Sequence, residues 1–284
     1  MSRALVLVTV IGLFVMAFTV PNQGHADQGV MIPRPAGAPV VFVAHDYGYN
    51  GPDRIPAGMT TVEIVNQGQD LHHAQVVKLA SGKTAEDFVS AMKTNAVHWP
   101  DWVSFAGGPN AVVPGGRATA TMTLEAGRYL VLCLIPDKEG RPHVMLGMKK
   151  AFTVVPVSSV ALTEPAPDFT ITQRDFHFDV SKPITSGTHT IQVTNKGTQP
   201  HEVVVVKLAP GATVKDFVAA FEPGAVGPPP GRPVGGIVGL DRGRHGSFMA
   251  MFEPGHYALL CFFPDQATGK EHFTEGMVSE FTVR

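Results

Sequence analysis

Apolar and polar residues alternate along much of the chain. TTVEIVNQ from Thr60 and HTIQVTNK from His189 read as half-buried strands, and AQVVKLA, ATATMTL, RYLVLC and AFTVV follow the same rule. Gly- and Pro-rich turns separate these runs. Two short segments break the pattern. Thr84-x-x-Asp87 and Thr213-x-x-Asp216 resemble capping boxes, with Phe88 or Phe217 set to face inward. The pattern predicts an all-β chain of Greek-key sandwiches, each with one short inserted helix.

The pattern also repeats. NQGQDLHHAQVVKLA from Asn66 lies over NKGTQPHEVVVVKLA from Asn195, and AGRYLVLC, ending at Cys133, lies over PGHYALLC, ending at Cys261. The offset is 129 residues at first and 128 after the middle loop. Such self-similarity predicts two tandem β-sandwich domains, residues 27–156 and 168–284, with a linker at 157–167 and a separate core in each.

Before the first repeat stands Arg3, an apolar run from Ala4 to Val20, and the small-residue site Gly24-His25-Ala26. Residues 1–26 are therefore expected to be a signal peptide cleaved after Ala26, giving a periplasmic or extracellular protein with no membrane span. An uncleaved anchor is the other reading of the same run. Composition adds an exclusion. A chain 44% hydrophobic and 16% charged, with net charge −2, has no nucleic-acid-binding signature.

The chain has two cysteines, and each opens the same pattern. An exported protein with two cysteines suggests a disulfide. Equivalent residues in tandem domains do not meet, however, so each cysteine needs a role in its own half. Four donors recur in order: His72, Cys133, His143 and Met148, then His201, Cys261, His272 and Met277. Two imidazoles, a thiolate and a thioether are the donor set of a blue-copper centre. His73, beside His72, is an alternative ligand and otherwise an exposed residue, because neighbours in a strand face opposite sides. His45, His98, His177, His189, His245 and His256 have no histidine counterpart and read as surface residues. Trp99 and Trp102, in the middle loop of the first half alone, read as loop core or edge cover, with partner docking as the other reading.

NKGTQPHEVVVV resembles the cupredoxin segment that bears the first histidine, and Cys…His-x4-Met, with Gly directly before Met148 and Met277, resembles the family's copper loop. The resemblance covers nearly the whole chain after residue 26. It implies one type 1 copper on each set of four residues, two coppers in all, and one-electron transfer between transient redox protein partners. The second histidine would be the electron port, with Val144, Met145 and Phe273 as an apolar rim. Nine residues separate Cys133 from His143 and ten separate Cys261 from His272, a long loop of the kind found in copper nitrite reductases. Those enzymes carry a histidine directly before the type 1 cysteine, where this chain has Leu132 and Leu260, and no His-x-His pair occurs. The expectation is thus an electron carrier and not an enzyme. Copper handling without electron transfer is the alternative, and a copper oxidoreductase of nitrite-reductase type the remoter one. Oligomeric state is left open.

Overall fold

The alternating segments become strands. The structure, a computed structural model, describes residues 37–94, 98–156, 164, 166–221 and 227–284. The segment read as a signal peptide and most of the linker lie outside the described residues. The first half holds β1 (Val40–His45), β2 (Gly48–Asn50), β3 (Arg54–Pro56), β4 (Gly58–Asn66), β5 (Gln75–Leu79), α1 (Ala85–Thr94), β6 (Val103–Gly107), β7 (Arg117–Leu124), β8 (Gly127–Leu132) and β9 (Lys149–Val155). The second holds β10 (Phe169–Arg174), β11 (His177–Val180), β12 (Gly187–Asn195), β13 (His201–Leu208), α2 (Val214–Ala219), β14 (Gly231–Leu240), β15 (His245–Phe252), β16 (Gly255–Leu260) and β17 (Val278–Val283). The chain is all-β, as the pattern predicts, and among the described residues no helix is long and apolar enough to cross a membrane.

Local chemistry explains the elements. In β12, Ile191, Val193 and Asn195 are buried at every second position. β8 and β16 end in four buried residues each, because both of their faces are covered. Both capping boxes form. Thr84 and Asp87 exchange hydrogen bonds of 3.1 and 2.9 Å, and Thr213 and Asp216 do so at 3.3 and 2.9 Å. Phe88 and Phe217 are buried beneath them.

The halves share their sheets. One sheet has the order β11-β10-β12-β15-β7-β4-β1-β2, and the other β17-β16-β13-β14-β6-β5-β8-β9-β3. The joins are the antiparallel pairs β15–β7 and β14–β6. In the first join Ala120 lies opposite Phe248, its own counterpart in the repeat. The expected cores are not fully separate: two of three apolar clusters draw on both halves, and the third belongs to the second half alone. The reason lies in the strand edges. β7 and β15 would each present unpaired N–H and C=O groups, and pairing them satisfies both.

Beside the join, close approach between neighbouring strands of each half requires glycine. Gly108 and Gly236 have φ of +135° and +138°, and a Cβ there would stand 2.0 Å from the carbonyl oxygen of Ala74 or Val203. Side chains cross the join as well. The Gln75 amide donates to the Gly239 carbonyl at 3.0 Å, and Ser104 donates to Asp241 at 2.7 Å. Phe263 packs on Phe105 and Trp99, with ring centroids 5.1 and 6.0 Å apart. Trp99 thus fills a core between the halves, and Lys83 lies 5.0 Å above the Trp102 ring.

Candidate metal centres

Each half brings its first histidine, its cysteine and its second histidine to one point. β4 ends at the fully buried Asn66, which organises the turn after it. Its amide donates to the carbonyls of Asp70 and Val112 at 2.8 Å, and its Oδ1 accepts the Gly68 N–H at 2.9 Å. Asn195 repeats this with Gln199, Leu240 and Gly197. The turn delivers His72 and His201. Cys133 and Cys261 directly follow β8 and β16, and the ligand loop folds back on them. Cys133 N–H donates to the Met148 carbonyl at 3.2 Å, Val144 N–H to Cys133 at 2.8 Å and Met148 N–H to His143 at 3.0 Å. The second half repeats these bonds between Cys261 and Met277, Phe273 and Cys261, and Met277 and His272, at 3.3, 2.9 and 2.9 Å.

The donor atoms converge. His72 Nδ1 lies 3.1 Å from His143 Nδ1, and Cys133 Sγ lies 3.5 Å from His143 Nδ1. In the second half the distances are 3.0 and 3.3 Å. The donor atoms of each group lie within 4.8 Å of one another, and all six residues are buried. Neither cysteine is in a disulfide. Met148 and Met277 are fully buried and tied to the same loops through their backbones. The structure brings two imidazoles and a thiol together in each half, and His72 rather than His73 is the one that joins the first group.

The sequence reading missed two carboxylates. His72 Nε2 lies 2.6 Å from Asp46 Oδ1, and His201 Nε2 lies 2.5 Å from Asp175 Oδ1. A carboxylate only accepts, so Nε2 carries the proton and Nδ1 offers its lone pair to the centre. Here too glycine is required. A Cβ at Gly68 would stand 2.2 Å from Asp46 Oδ1, and at Gly197 2.4 Å from Asp175 Oδ1. The residue after each aspartate covers the second histidine, with Tyr47 4.8 Å from the His143 ring and Phe176 4.9 Å from that of His272. The signal was available: Asp46 and Asp175 each precede their histidine by 26 residues.

Three expectations are corrected. His73 is buried, not exposed, and its Nε2 accepts the Leu134 N–H at 2.8 Å. Its counterpart Glu202 is buried too. His143 and His272 are buried rather than surface ports, and Val144, with 1% of its surface exposed, is no rim residue. Met145 and Phe273 are half-buried. The six histidines without a histidine counterpart in the other half are half-buried or exposed, as expected.

Burial sets the electrostatics. It pushes the Cys133 thiol up to about 12 and the Cys261 thiol well above its ordinary value. It holds His143 and His201 below the usual imidazole range, His272 at about 4 and His73 at about 3. Burial raises Glu202 to about 7, opposed by N–H donors from Phe262 and Asn110. For Asp46, burial acts upward, but N–H groups of Gln69 and Asp70 and the His72 ring outweigh it and keep the carboxyl low. Burial thus favours neutral His143, His201 and His272 and neutral thiols, and a bound cation would expel the thiol proton. A pH dependence follows. The folded thiols ionise above the unfolded value of about 8.5, so their contribution to stability is full below that pH and is lost as pH rises above it. The loss is on the order of 1.4 kcal/mol per pH unit for each thiol. The urea midpoint of the metal-free protein should fall between about pH 9 and 10.5, and less steeply in Cys133→Ser.

No protein-family model matches the chain, and no curated protein matches it. Solved structures do. Dithionite-reduced auracyanin from Roseiflexus castenholzii is 25% identical over 43% of this chain and 100% of its own, with a TM-score of 0.31. Auracyanin B is 18% identical over 43% of this chain and 93% of its own, at 0.31. Copper nitrite reductase from Nitrosomonas europaea is 14% identical over 87% of this chain and 94% of its own, at 0.24. The all-β fold and the two His/Cys/His groups agree with the resemblance to cupredoxins, and each group could hold one copper.

Proposed function

We propose that the chain is an exported electron carrier holding one type 1 copper in each half. The observation that supports it most is the pair of buried His/Cys/His groups, each with its first imidazole pinned by a carboxylate through Nε2. Met148 and Met277 would complete the donor sets as weak thioether ligands. Bound copper would supply one-electron cycling between Cu(I) and Cu(II). The protein's own part is to hold the geometry. Strand ends and backbone-closed loops fix the donors, the Asp–His pairs set the tautomer, and burial excludes water. A frame that moves little between oxidation states keeps the cost of electron exchange low.

A carrier role is favoured over catalysis by Leu132 and Leu260, which stand where nitrite reductases bear the histidine that tethers a second copper. Partners are redox proteins that dock transiently. Titration of the purified protein with Cu(II), followed by visible absorption and EPR, tests the reading. An intense thiolate-to-copper band that saturates at two equivalents per chain is expected. Copper bound without that band would overturn the carrier reading in favour of copper handling.

A further inference from the structure

The duplication provides an internal control, because equivalent positions that differ report on one another. One such difference lies directly after the first histidine, at His73 and Glu202. Both residues are buried, at 5% exposure, and both perform the same structural task. His73 Nε2 accepts the Leu134 N–H at 2.8 Å, and Glu202 Oε1 accepts the Phe262 N–H at 3.0 Å. Those N–H groups belong to the residues that follow Cys133 and Cys261. Each side chain ties the first-histidine segment to the chain leaving the thiol.

Their charges differ. An imidazole whose Nε2 accepts a hydrogen bond is neutral. Glu202 has both oxygens engaged by donors, since Oε2 accepts the Asn110 amide at 3.0 Å, and this is the pattern of an ionised carboxylate. The Glu202 backbone N–H meets Cys261 Sγ at 3.4 Å, so the residue that bears the carboxylate itself contacts the thiol. Asn110 belongs to the first half and reaches across the join, where it also donates to the Val203 carbonyl at 3.1 Å. Its repeat counterpart is the apolar Val238. The second half therefore keeps a buried, clamped carboxylate where the first keeps a neutral ring.

We propose that this exchange sets the two centres at unequal reduction potentials, the Cys261 centre lower, so that an electron entering the chain comes to rest at the Cys133 centre. The inference rests on the reading of one copper per half. An oxidised copper–thiolate centre carries one more positive charge than a reduced one. A buried anion beside it stabilises the oxidised form more, and the low dielectric of the interior leaves that attraction poorly screened. The internal step balances by itself: the Cys261 centre loses one electron, the Cys133 centre gains it, and no proton or other reactant is consumed. Hydrogen bonds join the two sides. Glu202 is bonded to Asn110, and the carbonyl of the adjacent Pro109 accepts the Ala74 N–H at 3.0 Å, next to His73.

Reductive titration of the copper-loaded protein at pH 8.5, followed in the thiolate band, tests this when repeated on Cys133→Ser and Cys261→Ser. The Cys133→Ser form, which retains the Cys261 centre, should hold its electron at least tenfold more weakly, about 59 mV for a one-electron couple. Glu202→Gln in that form should close the gap, and in the Cys261→Ser form it should change little. Glu202→His, which places the first half's side chain in the second, should close the gap as well and serves if the glutamine variant does not fold. Equal potentials in the two single-cysteine forms overturn the inference, as does a gap that survives both substitutions. Absence of the band in all forms would instead overturn the one-copper-per-half reading, and this inference with it.

Discussion

Replacing Cys133 with serine should lower the copper-binding capacity from two to one per chain and remove the optical band of the first half alone. Cys261→Ser should do the same for the second, and the double variant should bind no copper with a thiolate band. The expectation follows from the donor geometry. Each cysteine is the single sulfur of its His/Cys/His group, and it touches the second histidine of its own half at 3.5 or 3.3 Å. Serine keeps the size but not the soft, polarisable anion that matches Cu(I) and gives the charge-transfer transition. The halves should behave independently in this measurement because no donor is shared between the two groups. Loss of both bands from one substitution would show that the centres are not separate sites.

Asp46→Asn should weaken copper binding in the first half by roughly 10- to 100-fold, and Asp175→Asn should do so in the second. Neither aspartate is in a His/Cys/His group. Each fixes its histidine by accepting the Nε2 proton, at 2.6 and 2.5 Å, so that Nδ1 is left bare toward the centre. An asparagine can present its NH2 group to Nε2 and reverse the tautomer, which would place a proton where the metal must bind. Competition titration of the four single variants, scored against an optical band whose half is known from the cysteine variants, separates this effect from general destabilisation. An affinity unchanged in Asp46→Asn would show that the pair is not an orienting contact.

The residues of the two His/Cys/His groups were legible in the sequence because they are chemically unusual and occur twice. Asp46 and Asp175 were not, since aspartates beside turns are common and the carboxylates lie 26 residues from the histidines they orient. Repetition alone would have found them, as it found the donors. The burial of His73 was misread for a different reason. Adjacent strand residues do face opposite sides, but both sides are covered here, as the almost wholly buried β13 shows in the second half. One face of β13 packs in the cluster that both halves share, and the other is covered by Phe217 of α2 and its neighbours, with Asn110 reaching across the join to Glu202. Neither cover, nor the pairing of β7 with β15, is encoded in the alternation of a single strand. Alternation tells which face is apolar. It does not tell which edge finds a partner.

That join has a consequence for the history of the chain. Each half contributes the same two strands, and the strands meet antiparallel, with Ala120 opposite its counterpart Phe248. A surface of this kind is complementary to itself, so a half carrying it alone would pair with another copy. Fusing two such halves makes the pairing independent of concentration. It also removes a constraint. In a homodimer every substitution appears at both centres at once, whereas tandem copies accept changes singly. His73 and Glu202, with Asn110 and Val238, are differences that only the fused form can hold.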